Sequence, residues 1–167
     1  DDDEYSRKQG EFREKQWRNK CISELYEPGS VFKVNTSAAA FEENLINLKT
    51  DTFICNGSVT MDGHPDPIRC HLKYGGHGVE TFQQALTNSC NPAFMEIGKR
   101  LGIEKFLYYY DALGLRERTG IDLPAEAAGF QKYPDDMTHV DLAYSSFGQC
   151  ETITPIEMIT SYCAASN

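Results

Sequence analysis

Ser30 and Lys33, in the stretch Tyr26-Glu27-Pro28-Gly29-Ser30-Val31-Phe32-Lys33, are the pair whose types and spacing point most directly to chemistry. Three residues apart on a helix, their side chains lie on one face and meet. A serine hydroxyl is a weak nucleophile until a neighbour takes its proton. A lysine can take it only when desolvation or nearby cations pull its pKa down. Pro28 and Gly29 form a turn that delivers Ser30 to a helix start, where free N–H groups and a partial positive charge face a developing anion. The same spacing suits a plain helix start, with Ser30 as N-cap and Lys33 solvated in the first turn.

A second polar group is Asn88-Ser89-Cys90-Asn91. Asn91 before Pro92 is a sound helix N-cap by itself. In a functional reading Ser89 relays a proton to a leaving group and Asn91 holds a substrate amide, both across a cleft from Ser30 and Lys33. The two readings are compatible. A third group is Cys55 and Cys70, with His64, His71 and His77 close in sequence. Either the two cysteines are buried thiols or one disulfide, or they hold a structural zinc with His77 and one more ligand from His71, Asp51 or Asp66. The six cysteines, with 21, 90, 150 and 163 as the others, are scattered without a CxxC pair; a disulfide-stapled reading is open, and most read as buried free thiols.

The elements that must position these groups belong to a chain of 167 residues, 40% hydrophobic and carrying nine Phe and nine Tyr, which is globular in composition. A formal net charge of -9 argues against nucleic acid or an anionic membrane surface as partner. No apolar run is long enough to span a bilayer, and the chain opens on DDDE without a Met, so any export or anchoring signal is expected outside it. Residues 1–20 are a charged lead-in expected to dock through Trp17; residues 21–167 are the folded part.

From Ser30 onward Val34, Ala38, Phe41 and Leu45 recur at helical spacing and, with the run Ala38-Ala39-Ala40, predict a buried central helix. Between Thr52 and Tyr74 the segments TFIC, SVTM and IRCHLKY, separated by Asn56-Gly57 and Asp62-Gly63, predict a small antiparallel ribbon. Gly75, Gly76 and Gly78 around His77 imply close backbone approach or unusual dihedrals before a helix over 81–87. Another helix follows Asn91, breaks at Gly102 and restarts over 104–113; residues 114–137 are mostly loop. Thr154-Pro155-Ile156-Glu157 announces a last helix, with Met158, Ile159 and Tyr162 on its apolar face.

The ordered segments YEPGSVFK with an Ala-rich helix, GGHG, NSCNPAFMEIGKRLG, TGIDLPAE and GQ…TITPIEM…YCAASN resemble the transpeptidase domain of class B penicillin-binding proteins, as in elongation, division and spore-cortex enzymes of Gram-positive bacteria, clostridia included. The underlying motif set is S-x-x-K, S-D-N and K-T-G. The likeness runs from about Trp17 to the C-terminus. It implies an α+β fold of the penicillin-binding-protein and serine β-lactamase type, here its helical part plus a small antiparallel ribbon.

Carried over by position, the resemblance implies that Ser30 is acylated, Lys33 is its general base, Ser89 passes a proton and Asn91 binds the substrate amide. The backbone N–H of Ser30 supplies half of an oxyanion hole. The implied reaction attacks the D-Ala-D-Ala bond of a peptidoglycan stem, releases D-alanine and transfers the acyl group to an amine on a neighbouring stem. β-Lactams acylate the same serine. No cofactor is needed for this chemistry, a structural zinc being the one candidate, and some clostridial relatives that look similar around the cysteines bind zinc. The resemblance further implies action on the outer face of the cell membrane, an anchor outside this chain and a partner glycosyltransferase. A K-T-G strand is missing: Lys49-Thr50-Asp51 is misplaced, and Arg118-Thr119-Gly120 belongs to the TGIDLP segment. The family's strand comes after the helix with which this chain ends, so the chain is expected to be a fragment. Cys150 stands where a glycine often follows Gly148-Gln149, and Ala125 where LPGE is usual. A β-lactam receptor acylated without turnover uses the same serine and lysine, but TGIDLPAE and TITPIEM favour the transpeptidase. An inactive remnant is the third reading.

Overall fold

The computed structural model describes residues 2–72 and 74–167. Asp1 of the lead-in and Lys73 of the expected third ribbon segment lie outside the described residues. Helix α1 (Asp2–Trp17) carries the i,i+4 pairs Lys8–Glu4 at 2.7 Å and Arg7–Glu11 at 3.8 Å on its surface. Trp17 is 80% exposed, so the lead-in does not dock through it as expected. The chain meets the body at Ile22, buried on the short helix α2 (Lys20–Ser23), whose N-cap Asn19 accepts from the N–H of Cys21 and whose Ile22 carbonyl accepts from Ala127.

A 3-10 turn (Gly29–Phe32) runs directly into α3 (Lys33–Glu42). The expected central helix is therefore present but in two pieces of different pitch, one 3-10 turn and then the α-helix, with the switch falling between Ser30 and Lys33. Its buried positions are Lys33, Asn35, Thr36, Ser37, Ala39 and Ala40, while Val34, Ala38 and Phe41 are only partly covered. The helix is surrounded rather than one-sided, so the apolar period marked the helix but not its buried face. Polar side chains can be buried there because each finds a partner: Thr36 Oγ1 donates to the Ser146 carbonyl (2.9 Å), Ser37 Oγ to the Lys33 carbonyl (2.6 Å), and Asn35 Nδ2 to Ser161 Oγ (2.9 Å).

The ribbon is built differently from the sequence expectation. Strand β1 (Thr52–Cys55) pairs antiparallel with β4 (Gly78–Thr81), setting Cys55 opposite Gly78, and the short strands β2 (Ser58–Val59) and β3 (Ile68–Arg69) pair with each other. GVET was missed as a strand because three glycines precede or begin it. Gly76 sits where a Cβ would lie 2.3 Å from both the Cys55 carbonyl oxygen and the Gly57 nitrogen, so only glycine lets the two backbones pass.

Thr81 caps α4 (Phe82–Thr87) in a reciprocal capping box with Gln84. The long α5 (Asn91–Ala112) breaks at Gly102, as expected, and buries Ala93, Phe94, Met95, Ile97, Leu101, Phe106, Leu107 and Tyr110. Full burial of side chains such as Phe94 and Ile97 contributes about 1.5–3 kcal/mol each. Helix α6 (His139–Ser145) was not anticipated, although Thr138-x-x-Asp141 is a capping box and both of its reciprocal bonds form. The last helix, α7 (Pro155–Ala165), starts as predicted with Thr154 and Glu157 capping each other. It buries Glu157, Met158 and Ser161, leaving Ile159 56% exposed. Two apolar clusters result: one around Phe82, Phe94 and Ile97 beneath the strands, the other around Phe32, Phe106, Tyr110 and Ile153. No helix among the described residues is long and apolar enough to cross a membrane.

Candidate active site

Ser30 is not a helix cap. Pro28 occupies that place in the 3-10 turn, without a side-chain bond, which leaves the exposed Ser30 hydroxyl free. Lys33, far from being solvated, is 1% exposed. Its Nζ lies 3.2 Å from Ser30 Oγ, 2.9 Å from Ser89 Oγ, 2.7 Å from the Ser89 carbonyl and 2.8 Å from Asn91 Oδ1. The Phe94 ring is 5.3 Å away, closing the apolar side. Burial pulls the amine from its ordinary 10.5 down to about 8, against the opposing effect of Cys90 and Cys70. At neutral pH a minority of molecules therefore carry a free base within reach of the hydroxyl.

Two elements bring the second polar group to this amine. Helix α4 ends with Ser89 N–H donating to Leu86 and Cys90 N–H to Ala85, and Ser89 takes a left-handed conformation (φ 51°) that turns both its carbonyl and its hydroxyl toward Lys33. Helix α5 then begins one residue earlier than expected: Cys90 is its N-cap and Asn91 its first residue. Released from capping, the Asn91 carboxamide accepts from Lys33 and donates its Nδ2 to the Arg69 carbonyl of β3 at 3.3 Å. Ser30, Lys33, Ser89 and Asn91 are thus one hydrogen-bonded cluster at the meeting of α3, α5 and the strands.

The cysteine group lies directly behind it. Cys55, Cys70, His77 and Cys90 each present a donor atom, all within 4.8 Å of one another, with Cys70 Sγ 3.5 Å from His77 Nδ1. Both Cys55 and Cys70 are buried free thiols, so no disulfide joins them. The fourth member of this tight group is Cys90, a residue outside the expected set of His71, Asp51 and Asp66. Asp51 is engaged by Arg100 at 3.1 Å and Asp66 is exposed, while His71, also exposed, places its Nδ1 3.8 Å from Cys70 Sγ at the edge of the cluster. Cys90 was missed because 35 positions of sequence separate it from Cys55, and only the β1–β4 pairing beside α5 closes that gap. Burial raises the Cys55 thiol pKa, but hydrogen bonds from the His77 and Gly57 backbone overcome it and bring it to about 7, while burial pushes Cys90 upward. Glu80, 3% exposed, places Oε2 3.7 Å from His77 Nδ1 and has no other partner for that oxygen; Asn88 donates to its Oε1.

The two departures noted in the sequence share a geometry: Ala125 (φ 64°) and Cys150 (φ 72°) are both left-handed, the conformation that glycine adopts freely.

A family model described as the penicillin binding protein transpeptidase domain matches residues 1–167. The chain is 43% identical over 150 residues to the stage V sporulation protein D of Bacillus subtilis, covering 90% of this chain and 23% of that protein. It is 31% identical over 159 residues to penicillin-binding protein PbpB of Mycobacterium tuberculosis, covering 92% of this chain and 22% of that one. It therefore spans about a quarter of the length of these relatives. Among solved structures, the transpeptidase domain of penicillin-binding protein 3 from Burkholderia pseudomallei superposes with a TM-score of 0.81 at 24% identity, over 88% of this chain and 43% of that chain, a likeness of fold. Penicillin-binding protein 3 from Mycobacterium tuberculosis, complexed with aztreonam, gives a TM-score of 0.79 at 27% identity over 87% of this chain and 32% of that chain. With its α+β architecture and the match along its whole length, the chain belongs to the family of penicillin-binding-protein transpeptidase domains.

Proposed function

We propose that this chain is the nucleophile-bearing part of a peptidoglycan D,D-transpeptidase, with residues 21–167 forming that part of the domain and 1–20 a charged lead-in. The observation that carries the reading is the buried Lys33 amine bonded at once to Ser30, Ser89 and Asn91. Neutral Lys33 takes the Ser30 proton as Oγ attacks the carbonyl carbon of the penultimate D-alanine. The Ser30 N–H, in the first turn where backbone donors lack partners within the turn, supports the oxyanion. As the C–N bond breaks, the proton held by Lys33 passes through the Ser89 hydroxyl to the departing D-alanine nitrogen. Asn91 holds the stem amide. The amine of a neighbouring stem then attacks the ester, giving its proton to neutral Lys33, which passes a proton to Ser30 Oγ as that oxygen departs, so that the hydroxyl and the free amine are restored. A β-lactam ring opens onto Ser30 by the same first step and has no departing group to clear the site.

The substrate places the reaction outside the cytoplasm, at the membrane's outer face. A membrane anchor and a glycosyltransferase partner complete the proposal. A stem peptide ending in D-Ala-D-Ala, given with an acceptor amine to the full-length protein, should yield free D-alanine and a cross-linked product. Ser30→Ala should yield neither. Penicillin acylation with no D-alanine released would overturn the transpeptidase reading in favour of an acylated receptor.

Cys55, Cys70, His77 and Cys90 fit a structural zinc: three thiols and an imidazole are its preferred donors. Held there, the ion would tie β1, the end of β3 and the start of α5 together. Native mass spectrometry should find one zinc per chain, lost in Cys90→Ser together with several degrees of melting temperature; a metal-free protein of unchanged melting temperature in chelator would refute it.

A further inference from the structure

The turn that carries Ser30 is gripped by a segment far along the chain. The Gly29 N–H donates to the Gly148 carbonyl at 2.7 Å, and a Cβ on Gly148 (φ 89°) would lie 1.9 Å from the Gly29 oxygen, so the two backbones touch only because Gly148 is bare. Two residues on, Cys150 is held left-handed, a conformation strained for any residue with a side chain. Its N–H is thereby turned to the Glu27 carboxylate, 3.1 Å from Oε1 and 123 positions distant in sequence. Beyond this, Tyr26 and Ile153 exchange both backbone bonds at 3.0 Å, Ile153 being fully buried. Residues 26–29 are therefore fastened by backbone at each end and by one side chain between, that of Glu27.

We infer that Glu27 is a positioning residue for acylation. By holding the Cys150 N–H it keeps Cys150 in its strained conformation and the Gly148 carbonyl seated on Gly29, which aims Ser30 Oγ at Lys33 Nζ. Without that acceptor Cys150 relaxes, the 148–150 segment lifts from the turn, and the hydroxyl loses its fixed direction while the binding surface around Asn91 stays in place. Glu27 touches no reacting atom. The inference rests on Ser30 being the nucleophile.

The test is the rate of covalent labelling of the full-length protein by a fluorescent penicillin, resolved into a saturating rate constant and a half-saturating concentration. Glu27→Ala should slow the saturating rate about tenfold to a hundredfold, the loss expected when a hydrogen bond to a charged group is removed, with half-saturation changed less than about threefold. Glu27→Gln keeps an acceptor oxygen at the same reach but not its charge, and should stay within about tenfold of the native rate and clearly faster than alanine. Glu27→Asp keeps the charge but draws the acceptor back by one methylene, and should be as slow as alanine. An alanine variant at the native rate overturns the inference. So does a fast aspartate variant beside a slow glutamine one, because the charge and not the bond would then matter. The Gln-against-Asp comparison decides even if the alanine variant does not fold. A native protein that takes no label overturns the nucleophile assignment itself, a result distinct from labelled native protein with an unaffected variant.

Discussion

Replacing Lys33 by alanine removes the one amine that touches all three polar partners of the cluster. The expected loss follows from two quantities. A positioned general base contributes about 10²–10⁴-fold, and here the base titrates at about 8. At pH 7 roughly one molecule in ten has it neutral, and at pH 6 roughly one in a hundred. Penicillin acylation of the full-length protein should therefore rise about tenfold per pH unit below 8 and level off above about 9. The sign follows from burial: desolvation disfavours the ammonium, so the free amine appears at lower pH than in an exposed lysine. Lys33→Ala should acylate about 10²–10⁴-fold more slowly and lose the rise near pH 8. Lys33→Arg, which retains a cation but does not titrate in this range, should be as slow. Stopped-flow labelling between pH 6 and 9.5 supplies both readouts. A flat profile in the native protein, or an arginine variant at native rate, would refute the assignment of Lys33 as base.

Ala125→Gly and Cys150→Gly should each stabilise the protein by about 1 kcal/mol, since both positions are left-handed and the alanine or cysteine side chain is strained there; thermal melting of the two variants checks this, and a lower melting temperature in both would contradict it. Glu151, fully buried with one oxygen unpartnered, has its carboxyl held well above the ordinary range by burial, so the folded state keeps a proton that the unfolded chain releases above about pH 4.5. Its contribution to stability is greatest below that pH and declines as the pH rises toward the folded value. Glu151→Gln, which imitates the protonated form, should gain in melting temperature relative to the native protein by several degrees between pH 5 and pH 8; an equal difference at both would disprove the buried proton.

What the residues alone disclosed was local and strongly coded. The capping box at Thr154 and the break at Gly102 rest on interactions within a few positions, and both are found in the structure. Ser30 and Lys33 could be paired by spacing. Their environment could not, because the burial that lowers the Lys33 pKa is supplied by residues near position 90. Strand β4 escaped notice for a related reason: its pairing with β1 brings together segments more than twenty positions apart, and glycines mask its period. Trp17 misled because a large aromatic at the end of a charged run looks like an anchor, whereas Ile22 is the residue the body covers. Cys90 carried no local sign of joining Cys55 and Cys70, and Glu27 none of reaching Cys150.

The central claim is that the Ser30 hydroxyl, activated by Lys33, forms an acyl-enzyme. Intact and peptide mass measurement of the full-length protein after incubation with a penicillin tests it most directly. One penicillin mass should be added per chain, located on the peptide containing Ser30, and Ser30→Ala should remain unmodified. Label located on another residue, or persisting in Ser30→Ala, would contradict the account.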